Sequence, residues 1–182
     1  MIKALLRRLI DGFERRFDYD SGYMREIVAA DTAAGVKLLL ASQFLTHEFG
    51  APKHAYHAAK IRSAMRADCG PCLRLAAAMA EDAGVEHATV LAALGHGSAD
   101  ATVTLATRLA DGMLDNAADL PEIVAEVRTL FGERAATGLA AAVVAGQFYP
   151  LLKRGMGHNA ACEPVLTRLL AGDATKRAEA TG

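Results

Sequence analysis

An excess of charge of either sign is nearly absent from this chain: 20 Lys and Arg against 21 Asp and Glu leave a formal net charge of −1. Without a basic excess there is no electrostatic footprint for nucleic acid, whose phosphates dominate such binding. Long hydrophobic runs are missing as well. Charged residues or Gly interrupt each one before the ~18–20 residues that a membrane span needs, so no span is expected. The segment Met1 to Asp11 has neither an unbroken apolar stretch nor a small-residue cleavage site, which argues against a secretory signal and for a cytoplasmic protein. Cysteine is scarce. Three in 182 residues do not make a disulfide framework. Alternation of β-branched residues over a useful length, the mark of strands, is also missing.

What is present is helical spacing. Hydrophobic residues make up 52% of the chain, enough for a core that needs no staples. Ile2, Leu5, Leu6, Leu9, Ile10, Phe13 and Phe17 recur at intervals of three and four, with basic residues between them, as in an amphipathic helix that packs on its own domain or on a partner subunit. Asp31 reads as the N-cap of a helix running to about Glu48, closed by Gly50, and Pro52 opens another over about Lys53–Arg66. A helix from about Pro71 to Ala83 follows, ended by Gly84, then shorter ones near Val85–Leu94 before Gly95, Ala99–Ala110 before Gly112 and Pro121–Phe131 before Gly132. Asp119 with Glu122 has the spacing of a capping box. The Ala-rich stretch from Glu133 to Tyr149 reads as a long helix that Pro150 should kink or end, and about Ala161–Leu170 as a last one. The expected fold is all-α. Residues 1–50 read as an N-terminal helical extension packing on a main domain over 51–172, and 173–182 as a frayed polar tail.

The sharpest motif is Cys69-Gly70-Pro71-Cys72. Two residues between cysteines permit a reversible disulfide, and a thiolate at a helix start is stabilised by unpaired N–H groups. Pro71 can open the helix, which puts Cys69 at or before its first turn and Cys72 within it. The same four residues in thioredoxin-like proteins follow a β-strand, whereas here a helix precedes them. Other uses of such a pair are structural metal ligation and plain burial as small hydrophobes.

With helices on both sides, the segment from His57 to Ala76 resembles the AhpD-like and carboxymuconolactone decarboxylase superfamily, whose peroxidase members carry Glu-x11-Cys-x-x-Cys-x3-His on a helix–turn–helix. Cys69 and Cys72 match both cysteines, His57 stands at the Glu position, and Ala76 stands where the family has His. The resemblance implies an AhpD-like helical bundle that reduces hydroperoxides or disulfides through the dithiol. It also implies regeneration by an external thiol electron donor, no cofactor or metal, and assembly as a homo-oligomer, trimer or hexamer. It implies a Glu and His relay that helps a cysteine lose its proton, and that relay is altered here. If the two helices are antiparallel, His57 and position 76 lie at similar heights, so the base moves across the hairpin instead of vanishing. The candidate site is therefore Cys69, Cys72 and His57. The helix start favours Cys69 as the low-pKa thiol, and the family's relay favours Cys72.

The competing readings are a non-enzymatic helical oligomer with a redox-sensing or remnant Cys pair, and a structural zinc site from His54, His57 and the two cysteines. Two turns of helix, roughly 10–15 Å, separate those histidines from the dithiol, which disfavours zinc. His87 and His96 read as surface residues, Tyr56 as packing and Cys162 as a buried small residue.

Overall fold

The computed structural model describes residues 1–158, and within them every regular element is an α-helix. These are α1 (Ile2–Phe17), α2 (Gly22–Ala30), α3 (Thr32–Leu45), α4 (Lys53–Arg66), α5 (Gly70–Asp82), α6 (His87–Ala93), α7 (Ala101–Asp115), α8 (Leu120–Phe131) and α9 (Glu133–Gly155). The expected last helix, the polar tail and Cys162 lie outside the described residues.

The core forms around α4. It carries the small residues Ala55, Ala58, Ala59 and Ala64 together with Ile61, all at most 2% exposed, and it packs against α5, α6, α7 and α9. Small side chains let helix axes approach closely, and α9 answers with glycines. A Cβ on Gly146 would lie 2.5 Å from Ser63 Cβ and 2.7 Å from the Lys60 carbonyl oxygen. One on Gly138 would lie 2.1 Å from the Glu48 carbonyl oxygen. Polar bonds tie the same contact: Ser63 Oγ donates to the Val143 carbonyl at 2.6 Å, and Gln147 Nε2 donates to the Ser63 carbonyl at 2.7 Å.

Several elements differ from the sequence expectation. Pro150 does not end α9, which continues to Gly155 with Pro150 and Lys153 buried. The proline forgoes one backbone bond, and burial of the last turn compensates. Gly138 and Gly146 lie inside this helix, as the reading of Glu133 to Tyr149 as one helix expects. Among the described residues α9 is the one helix long and apolar enough to cross a bilayer; half of its apolar window is buried within the protein. Gly112 does not end α7 either. It packs under Ile123 and Leu120, and Asn116 in the left-handed region closes the helix instead. Asp119 precedes α8 but its side chain makes no capping bond. The separate helix α2 went unread because Gly22 and the short span hide its period.

The first three helices cover one side of this core. Asp31 caps α3, accepting from Ala33 N. Arg25 of α2 is bonded to Glu14 and, at 2.7 Å, to Asp11 of α1. Arg16 reaches Asp82 at 2.6 Å, and Arg74 bonds the carbonyls of Phe17 and Asp18, so the end of α1 is tied to α5. Tyr149 of α9 donates to Ser42 Oγ of α3 at 2.7 Å, and the Tyr56 hydroxyl donates to the Leu45 carbonyl at 2.7 Å.

Replacing Gly146 by Ala should destabilise the protein by about 1–3 kcal/mol, the usual cost of overpacking a close contact. Replacing Gly155, whose Cβ would meet nothing within 4 Å among the described residues, should be neutral or slightly stabilising. Urea denaturation of both variants checks this, and an unchanged midpoint for Gly146→Ala would contradict the close crossing.

Candidate functional site

The turn between α4 and α5 sets the dithiol. Asp68 takes a left-handed conformation with φ 50°, Cys69 is the extended N-cap residue of α5, and Gly70 and Pro71 begin the helix. Cys72 then falls in the first turn. The two Sγ atoms are 2.8 Å apart and share a hydrogen bond; both cysteines are free and buried. A disulfide holds its sulfurs about 2.05 Å apart, so closing the pair needs little motion.

The two thiols are driven in opposite directions. Cys69 is pulled down to about 6, chiefly by its hydrogen bond with the Cys72 thiol, then by the Cys72 backbone N–H, with Lys153 and Arg154 adding positive potential against the opposing cost of burial. Cys72 is pushed up, first by that same bond with Cys69 and then by burial, while Tyr19 and Lys153 pull the other way. The resting pair thus holds one proton, with the thiolate on the helix-start sulfur.

Two side chains from distant parts of the chain complete the surroundings of Cys72. Tyr19 comes from the segment joining α1 and α2, and its hydroxyl lies 3.7 Å from Cys72 Sγ. Lys153, from the end of α9, donates to the Tyr19 hydroxyl at 3.2 Å. Its ammonium also lies over the rings of Tyr19 at 4.8 Å and Tyr23 at 5.4 Å, an aromatic cradle for a buried cation. Burial keeps the Tyr19 phenol protonated, so Lys153, Tyr19 and Cys72 form a donor chain that ends on sulfur.

Cys72 opens on a cavity of about 330 Å³, within the range of small-molecule pockets. Its walls include Phe13 of α1, Tyr19 and Tyr23, Lys60 of α4, Ala76 of α5 and Tyr149 of α9. Ala76, standing where the resemblance has His, is thus part of the cavity wall, and Lys60, one helical turn after His57, borders the same space.

His57 itself is 5% exposed, and burial together with the positive charges of Lys60 and Lys53 lowers it to about 4. It is neutral near pH 7, its Nδ1 is buried without a hydrogen-bond partner among the described residues, and it makes no hydrogen bond with either cysteine. The polar groups that the fold brings to the dithiol are Tyr19 and Lys153. His54 bonds Thr102 Oγ1 at 2.7 Å, and His87 bonds Glu81 at 2.6 Å. Among the described residues no three His, Cys, Asp or Glu side chains gather as a metal site.

Sequence reasoning missed Tyr19, Lys60 and Lys153. A partial signal existed: Lys60 interrupts the run of small and apolar residues Ala58-Ala59-Lys60-Ile61, and Lys153 follows the apolar Pro150-Leu151-Leu152. Nothing local marks Tyr19.

No family model, curated protein or solved structure matches this chain.

Ultraviolet thiolate absorbance of the reduced protein should rise through a transition near pH 6, because the Cys69 thiolate is present above its pKa and lost below it. An ordinary thiol would titrate near about 8.5. Lys153→Met should move this transition upward, since it removes positive charge from both sulfurs, and His57→Ala should leave it in place. A shift with His57→Ala and none with Lys153→Met would reverse the assignment of the two groups.

Proposed function

We propose that this chain is a thiol-dependent oxidoreductase of the AhpD-like type that cycles Cys69 and Cys72 between dithiol and disulfide, in the cytoplasm and with an external thiol as electron donor. The observation that carries this reading is the pair of buried sulfurs 2.8 Å apart, one of which opens on a ligand-sized cavity. A structural role would not need the second sulfur to face such a space. The likeness of residues 57–76 to the AhpD-like hairpin supports the same reading, with Tyr19 and Lys153 serving where the family's Glu and His would.

With a hydroperoxide as oxidant the chemistry runs in three steps. The proton on Cys72 passes to Cys69 across their shared hydrogen bond, and the Tyr19 hydroxyl with Lys153 behind it stabilises the new Cys72 thiolate. Cys72 Sγ attacks the terminal peroxide oxygen: an S–O bond forms, the O–O bond breaks, and the departing alkoxide takes a proton from Tyr19, refilled from solvent. Cys69 Sγ then attacks the sulfenic sulfur, forming the disulfide, and the hydroxide leaves as water with the Cys69 proton. The peroxide gains two electrons and the cysteine pair loses two. Two molecules of an external thiol, or one dithiol, restore the pair and leave as a disulfide.

The chain is further proposed to act as a homo-oligomer. Helix α1 leaves Ile2 60%, Leu5 58% and Leu9 48% exposed, and α3 leaves Leu40 and Phe44 exposed, which is apolar surface suited to another copy. Light scattering should return a mass at least twice the 19.1 kDa of one chain.

The direct test is consumption of cumene hydroperoxide by the reduced protein, followed with mass spectrometry of the product. One equivalent should be consumed per chain, with a 69–72 disulfide formed. Cys72→Ser should abolish the burst, Cys69→Ser should slow it, because the base for the Cys72 proton is lost, and leave the product as a sulfenic acid on Cys72 with no disulfide, and Tyr19→Phe should slow it by roughly 10²-fold or more. Unchanged turnover in Cys72→Ser would refute the scheme.

A further inference from the structure

Lys60 has no place in the dithiol scheme, yet it is among the most constrained charged groups in the protein. It is 7% exposed, on the face of α4 that borders the cavity, and its only hydrogen-bond partner among the described residues is the thioether of Met79 at 3.5 Å. A thioether is a weak acceptor that brings no charge. No carboxylate among the described residues pairs with this lysine, although an unpaired buried ammonium is costly to keep. Burial lowers it to about 8, so near neutral pH it remains mostly charged. Lys153, the other buried lysine, differs in having its aromatic cradle and the Tyr19 hydroxyl.

The rest of the cavity lining is chiefly apolar, contributed by Leu9, Phe13, Met24 and Leu39 among others. One cation without a counterion at the wall of an apolar chamber is complementary to one ligand chemistry: a single anionic head on a hydrophobic body. We propose that the cavity binds an organic monocarboxylate with an apolar chain or ring, its carboxylate paired with Lys60 Nζ and its body against the wall that α1, α2 and α3 provide. The ligand then lies in the chamber that Cys72 opens on. For the dithiol site this points to hydroperoxides that carry such a carboxylate head, the O–O bond being what the thiols reduce and the carboxylate only what Lys60 holds; that step rests on the redox reading, and the binding does not.

The test is equilibrium binding, by calorimetry, of decanoate, decanol and decylamine to the reduced full chain, below their aggregation concentrations and with no oxidant present. The parent protein should bind decanoate roughly 10- to 100-fold more tightly than decanol, the span expected of one charge-assisted contact, with decylamine weakest. Lys60→Met keeps the volume and removes the charge, a replacement that buried ionic sites commonly tolerate. It should erase the preference for decanoate and leave decanol binding intact. Equal affinity of the parent for decanoate and decanol, no binding of either, or undiminished decanoate binding in Lys60→Met would each overturn the proposal. If Lys60→Met does not fold, the head-group series on the parent decides alone. Because no thiol chemistry enters the measurement, loss of peroxide turnover with binding retained would count against the redox reading only. The converse result would count against the carboxylate site only.

Discussion

The contact on which the site depends is the close crossing of α4 and α9, where Gly146 lies against the Lys60 carbonyl and Ser63. Any side chain at 146 would push the helices apart by more than the local packing can absorb. The depth of this crossing places the last turn of α9, and with it Lys153, beside the dithiol. The Ser63 and Gln147 bonds hold the crossing in register, and burial carries α9 past Pro150 for the turn that brings Lys153 in. Without that last turn the donor chain to Cys72 would have no cation behind it.

The first three helices contribute the other half. Their packing is not decorative, because the segment between α1 and α2 delivers Tyr19 to Cys72 and α1 and α3 close the cavity. The ties that seat them are polar and local to their edges: Arg16 with Asp82, Arg74 with the end of α1, Arg25 with Asp11 and Glu14. Exposed ion pairs of this kind contribute little each. The apolar contact of Phe13 and Tyr19, their rings 5.9 Å apart in an edge arrangement, sits beneath them.

The electrostatics of the chamber follow from burial acting on different groups. It holds the Tyr19 phenol protonated, drives His57 to its neutral form and lowers Lys60 without discharging it. At the dithiol, hydrogen bonding outweighs burial for Cys69, and both together raise Cys72. The result is a cavity lined mainly by carbon, with the Cys72 thiol and the Lys60 ammonium at its wall and the Cys69 thiolate and Lys153 behind Cys72. Low dielectric makes each of these groups act strongly on its neighbours.

The sequence alone determined the all-helical class, most helix bodies and the placement of Cys69 and Cys72 at a helix start. These follow from apolar spacing of three and four, from Asp31 and Pro52, and from Pro71 beside two cysteines, all of them local signals. Local signals failed where burial overrides intrinsic preference: at Pro150, at Gly112 and at the short α2. The surroundings of the dithiol were decided by tertiary structure only. Tyr19 and Lys153 are separated from Cys72 by 53 and 81 positions respectively, and no periodicity connects them. His57, which the spacing singled out, faces no thiol hydrogen bond, because a position twelve before Cys69 specifies height along α4 but not direction around it. Direction is set by which face α9 covers, and that depends on where small residues on both helices let the backbones meet.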